Sequence, residues 1–195
     1  MRMNKKLPTL FTLLLLSISA IAGDFEDGKE AYEREDYIAA ISFFKKSAEQ
    51  GNAYAQYSLG QMYRQGRGVT QDYKQAASWY QKAAEQGFAY AQVNLGMMYD
   101  QGLGVTQDYK QAVSWFQKAA EQRFTQAQYN LGMMYYKGQG VTKDYVEAYK
   151  WHSIAYASGE NLPKDIRDSI VDLMTPSQIN SARKLAKEWM EKHQQ

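Results

Sequence analysis

One segment of this chain recurs at a fixed spacing, and that recurrence limits the possible folds more than any other feature. Ala55-Gln56-Tyr57-Ser58-Leu59-Gly60 returns as Ala91-Gln92-Val93-Asn94-Leu95-Gly96 and again as Ala127-Gln128-Tyr129-Asn130-Leu131-Gly132, 36 residues further on each time. The same offset relates Gly66 and Gly68 to Gly102 and Gly104, and these to Gly138 and Gly140. It also relates Asp72 to Asp108 and Asp144, and Trp79 to Trp115 and Trp151. A period of this length marks a repeated supersecondary unit. Each unit is too small to bury its own apolar face and is completed by the next.

Within a repeat the pattern reads helix, loop, helix. Ala55, Leu59, Met62 and Tyr63 fall at the spacings of one helical face. Gly66-Arg67-Gly68-Val69 breaks that helix, and Asp72 opens the next, its carboxylate near free amides and the positive end of the helix dipole. Ala76, Trp79, Tyr80, Ala83 and Ala84 form the second apolar stripe, and Gly87 supplies a left-handed stop. The Gly, Ala and Trp set is architectural: small residues let helices approach, and the large ones fill what remains.

The ends of the array differ from its middle. Asp36-Tyr37, Ala40, Phe43-Phe44, Lys46, Ala48 and Gly51 match the second half of a repeat at the same offset, but no Gly-x-Gly-Val loop precedes them. A shorter first repeat is expected, with helices near 24–34 and 37–50, as where a stack meets water. After Gly159 the register stops. A helix is expected to about Met174 with Ile166, Ile170 and Leu173 on one side, followed by a Thr175-Pro176-Ser177-Gln178 capping box. The last helix would bury Ile179, Ala182, Leu185, Ala186 and Trp189, and the two together read as a C-terminal cap. His152 and His193 are read as structural or surface residues, not catalytic ones.

Residues 1–22 have the three parts of a secretory signal peptide: basic Arg2, Lys5 and Lys6, an apolar run from Leu10 through Ile18, and Ala20-Ile21-Ala22 before Gly23. The run is short for a bilayer core, which needs roughly 20 residues. Cleavage after Ala22 and a periplasmic or secreted location, with no membrane attachment afterwards, are therefore expected. Removing the three basic residues leaves 20 basic against 21 acidic, so the positive balance of the +2 chain belongs to the leader. That balance argues against a nucleic-acid partner. The absence of cysteine excludes disulfides, thiolate metal sites and thiol catalysis, and nothing in the sequence calls for a cofactor or a metal.

Taken together, Ala55-Gln56-x-x-Leu59-Gly60-x-x-Tyr63, Gly66-x-Gly68-Val69-x-x-Asp72 and Ala76-x-x-Trp79-Tyr80-x-Lys82-Ala83-Ala84-x-x-Gly87 resemble Sel-1-like repeats, relatives of tetratricopeptide repeats with a longer inter-helix loop. Residues 53–159 carry the resemblance, while the first repeat looks more like an ordinary tetratricopeptide repeat. Arg123 in place of the terminal Gly, and Trp151-His152 in place of the Trp/aromatic pair, are the departures, and they make the third full repeat the least regular. The resemblance implies an all-α, right-handed α-solenoid of stacked helix-loop-helix repeats, divided at 23–51, 52–87, 88–123, 124–159 and a capping pair at 160–195.

The resemblance also implies a monomeric adaptor or scaffold that binds a protein or peptide on the concave face of the first helices. The positions carried over are Phe25, Lys29 and Tyr32 in the short repeat, then Tyr54, Tyr57, Gln61 and Arg64, then Tyr90, Val93, Met97 and Asp100, and finally Gln126, Tyr129, Met133 and Tyr136. Tyr and Met suit recognition, the ring as a rigid anchor and the thioether as an adaptable one. The same groove would serve a secreted, host-interacting factor. Enzyme activity is not expected: relatives described as penicillin-binding or β-lactamase-like are cysteine-rich, and Ser78 and Ser114, beside framework Trp residues, have no Lys three residues on.

Overall fold

In the computed structural model the chain is described over residues 23–158 and 164–193, and every regular element there is an α-helix. The proposed leader at 1–22 lies outside the described residues. The chain divides between Ala83 and Ala84 into two compact bodies. The first contains α1 (23–33), α2 (Tyr37–Glu49), α3 (Ala53–Gln65) and most of α4 (Tyr73–Glu85). The second contains α5 (Ala89–Gln101), α6 (Tyr109–Glu121), α7 (Thr125–Lys137), α8 (Tyr145–Ala157), α9 (Lys164–Val171) and α10 (Pro176–Lys192).

The helix starts follow side-chain chemistry. Asp36, Asn52 and Asp72 each accept one backbone N–H of the first turn, at 3.0 to 3.1 Å. Asp108 accepts from Lys110 and Gln111 at 2.9 and 3.1 Å, and Asp144 from Val146 and Glu147 at 2.8 and 3.1 Å. Two amides satisfied by one carboxylate at the positive end of a dipole make a full cap. Asp108→Ala is expected to cost about 1 kcal/mol, read as a lower urea midpoint with unchanged slope. At α10 the Thr175 hydroxyl accepts from Gln178 N at 3.3 Å, and Gln178 Oε1 accepts from Thr175 N at 2.9 Å.

Packing rests on close approach. In the first body Ala31, Ala40, Phe44, Ala48, Ala55, Leu59 and Met62 form the core. In the second, Phe116, Leu131, Met134, Trp151 and Ile154 share one core with Ala186 of α10, while Ala148, Tyr149, Ile170 and Ala182 make a smaller one. Each full repeat sets a glycine of its first helix against a ring of its second. A Cβ at Gly60 would lie 2.6 Å from Tyr80, one at Gly96 2.6 Å from Phe116, and one at Gly132 2.9 Å from His152. Successive repeats are joined by a buried amide: Gln92 Nε2 donates to the Ala84 carbonyl at 3.1 Å, and Gln128 Nε2 to that of Ala120 at 3.3 Å.

Two local expectations change. Leu173 is 50 % exposed: α9 ends at Val171, and Leu173 stands in the turn that follows. Arg123 keeps the turn that glycine makes elsewhere, at φ +66°. A side chain there costs roughly 1–2 kcal/mol relative to glycine, yet the next helix starts in register.

Candidate functional site

The first helices position most of the expected binding residues, and two clefts lie among them, one in each body. In the second body α5 and α7 enclose a cleft of about 350 Å³. Five expected positions, Met97, Asp100, Gln126, Tyr129 and Met133, line it. Phe116 and Met134, both buried, form its floor. The 36-residue offset explains the pairing, since Met97 and Met133 occupy the same helical position in consecutive repeats. Asp100 and Lys137 bring one charge of each sign, and Gln101, Asn130 and Gln139 add carboxamides that both donate and accept. Gln126 Nε2 already donates to Asn130 Oδ1 at 3.2 Å.

In the first body a smaller cleft of about 170 Å³ gathers Lys29, Tyr32 and Gln61 with Glu33, Ser58 and Phe44. Arg67, from the loop after α3, donates to the Tyr32 hydroxyl and lies over the Tyr32 and Tyr37 rings, 5.6 Å from each centroid. That contact ties the loop to the rim.

The remaining expected positions lie outside the lining of either cleft. Phe25 packs on Phe44 and on Tyr54, with centroids 5.8 and 5.9 Å apart. Tyr54 itself is 58 % exposed. Tyr57 accepts from Gln61 and rests on Tyr80, 5.7 Å between centroids. The Arg64 charge acts on the Tyr80 hydroxyl, whose pKa burial raises well above the usual tyrosine value. Tyr90 is 53 % exposed and stands between Phe88 at 5.7 Å and Phe124 at 4.5 Å. Tyr136 turns toward Tyr145 at the start of α8, 5.9 Å away.

Val93 departs from the expectation: it is 4 % exposed and belongs to the core with Phe116 and Leu131. Tyr57 and Tyr129, at the same register, carry rings long enough to emerge half-buried; the short branched side chain of Val93 ends inside. Asn130, Lys137 and Gln139 were missed from the sequence. The first two stand four residues after Gln126 and Met133, a spacing that would have found them on the same face.

Electrostatically the buried exception is His152, 5 % exposed, whose pKa burial lowers to about 4. Its ring meets Tyr129 edge-on at 5.1 Å, and Nε2 has no hydrogen-bond partner. Burial also raises Tyr135, with Glu147 and Asp144 adding to the shift. Among the described residues no group of three or more His, Cys, Asp or Glu is placed to hold a metal ion. No described helix is long and apolar enough to cross a membrane.

The family model of the Sel1 repeat matches residues 23–52, 53–88, 89–124 and 125–166. The chain belongs to the Sel1 repeat family. Among solved structures it is similar to a protective antigen present in uropathogenic Escherichia coli strains, which displays an SLR fold. That match has 40 % identity and a TM-score of 0.71, over 78 % of this chain and 34 % of the antigen. It is similar to a Sel1 repeat protein of Oxalobacter formigenes at 39 % identity and TM-score 0.66, over 70 % and 56 % of the two chains. This chain thus spans about a third of the first relative and just over half of the second.

Cysteine-rich protein B of Helicobacter pylori shares the fold at 22 % identity and TM-score 0.52, over 71 % of this chain and 95 % of that one. No curated protein matches. Sel1 repeat proteins are all-α repeat proteins and generally act as protein-interaction scaffolds, typically without enzymatic activity.

Proposed function

We propose that this Sel1 repeat protein is an exported scaffold that binds a protein or peptide partner through the face of its first helices. The observation that supports the reading is the cleft between α5 and α7, where Met97, Asp100, Gln126, Tyr129 and Met133 converge on an apolar floor. Two adaptable thioethers and one ring, rimmed by carboxamides and a balanced charge pair, suit an apolar side chain carried on a hydrogen-bonding peptide backbone. Export rests on the basic, apolar and small-residue parts of residues 1–22.

The test is quantitative affinity capture from a cell-envelope extract, comparing the wild-type chain with a Met97→Glu, Met133→Glu double variant. Two carboxylates in the cleft are expected to lower recovery of a specific partner at least tenfold while helical circular dichroism is kept. Equal recovery of every captured protein would remove the cleft from the reading.

A second reading gives the same surface a host-facing role. It is favoured by the 40 % identity to a protein described as a protective antigen of uropathogenic Escherichia coli. Antibody labelling of intact cells separates the two, because a strictly periplasmic scaffold is reached only after the outer membrane is opened.

A further inference from the structure

The 36-residue register that builds the repeats also shows where one of them lacks a group. In the second full repeat the buried amide of Gln92 is satisfied at both ends. Its Nε2 donates to the Ala84 carbonyl at 3.1 Å, and its Oε1 accepts from Gln122 Nε2 at 2.8 Å. Gln128, 36 residues on, repeats only the first half, donating to the Ala120 carbonyl at 3.3 Å. The position 36 after Gln122 is Ser158, whose hydroxyl is too short to reach and donates instead to the Ile154 carbonyl at 3.4 Å. Gln128 is 1 % exposed, and its Oε1 accepts no hydrogen bond. An unmade buried acceptor costs about 1–3 kcal/mol.

A notch of about 130 Å³ opens at the same place, walled by Gln128, Ser158, Ile154, Arg123 and the Trp189 and Met190 side chains of α10. The apolar wall is held in position. Trp189 meets Trp151 edge-on at 5.6 Å and stacks on His193 at 4.0 Å. A recess lined by Gln128, whose Oε1 makes no hydrogen bond, and by Arg123 selects its occupant by chemistry.

We propose that this notch binds a primary carboxamide, the side chain of a glutamine presented by a protein partner. The second repeat provides the precedent, since there a glutamine side chain completes the same buried amide. The partner's NH₂ donates to Gln128 Oε1, its carbonyl accepts from Arg123, and its methylenes lie on Trp189 and Met190. A carboxylate has no proton for Gln128 at neutral pH, and an ammonium would face the Arg123 charge. Gln128 disfavours the first and Arg123 the second, while a carboxamide suits both. The site lies apart from the cleft of α5 and α7, so neither reading depends on the other.

The experiment is a nuclear magnetic resonance titration of the full chain with N-acetylglutamine methylamide. N-acetylglutamate methylamide and N-acetylnorvaline methylamide serve as controls. Saturable shifts of the Gln128 side-chain amide and the Trp189 indole N–H are expected with the glutamine probe, at least tenfold weaker with either control. Ser158→Gln supplies the missing carboxamide from the chain itself and is expected to abolish binding, with a raised thermal midpoint. Ser158→Ala leaves the notch open and is expected to bind as wild type, as is the Met97→Glu, Met133→Glu variant. Three outcomes overturn the proposal: no saturable shift, which would mean that water alone fills the notch; equal response to norvaline; or undiminished binding by Ser158→Gln.

Discussion

Gly140→Ala is expected to lower stability by at least about 3 kcal/mol, seen as a fall in thermal midpoint on the order of 10 °C, while Gly87→Ala costs about 1–2 kcal/mol. Both glycines sit in the left-handed region, at φ +72° and +89°, so both variants carry the same intrinsic penalty. They differ in their surroundings. A Cβ at Gly140 would come within 2.3 Å of the Tyr109 carbonyl oxygen and 2.9 Å of Lys110 N, at the start of α6. Backbone atoms there cannot turn aside as a side-chain tip can. At Gly87 nothing lies within 4 Å. The loop after α7 is thus fitted against the capped start of the preceding second helix, and alanine must push the two apart. Equal losses in the two variants would mean that backbone conformation alone, without inter-repeat contact, explains the glycine.

His152→Phe is expected to remove most of a pH dependence that the wild-type chain shows between pH 6.5 and 4. The folded pKa lies near 4, below the ordinary 6.5, because burial disfavours the charged ring. Above pH 6.5 the imidazole is neutral folded or unfolded, and this stability contribution is fully present. As pH falls from 6.5 toward 4 the unfolded chain takes up the proton and the folded chain does not, so stability is lost. Below 4 both states are protonated and the loss is complete, at about 3 kcal/mol.

Among the described residues nothing near the ring relieves that charge. His152 faces the Tyr129 ring and Gly132, and its Nε2 has no partner. Tyr80 and Phe116 occupy the same register against Gly60 and Gly96, so a Phe side chain fits the glycine cradle. The readout is the difference between wild-type and variant unfolding free energies at pH 7.5 and pH 4, which cancels the carboxylates common to both. A pH-independent difference would show that the ring gains its proton without cost in the folded state.

The parts of the fold legible in the sequence are those written in local chemistry and repeated. Asp108 and Asp144 cap because a carboxylate two or three residues before free amides needs no distant partner, and the Thr175 and Gln178 box is equally local. The 36-residue offset added the rest of the frame, pairing Gly60 with Gly96 and Gly132. What the period could not give is how far a side chain extends from its register position. Val93 is buried where tyrosines emerge, Tyr136 leans on Tyr145, and Leu173 faces solvent because its helix ends two residues earlier. The clefts were half-legible. Met97 and Met133 came from the register, but Lys137 and Asn130 join them only through the packing of α5 on α7. Ser158 was in plain view at the offset from Gln122, yet it gained meaning only from the bond between Gln122 and Gln92.

The Gln92 and Gln128 joints have a further consequence. The first two full repeats end in an alanine carbonyl, of Ala84 or Ala120, and the next repeat begins with the amide that donates to it. A 36-residue cassette therefore carries a socket at one end and a matching plug at the other. Duplicating the cassette of residues 88–123 repeats these carbonyl–amide joints without changing their chemistry. Recognition residues such as Met97 and Gln126 can meanwhile drift without disturbing the coupling. Length and specificity are separable quantities in such a chain, and gene duplication alone can alter the first while point mutation alters the second.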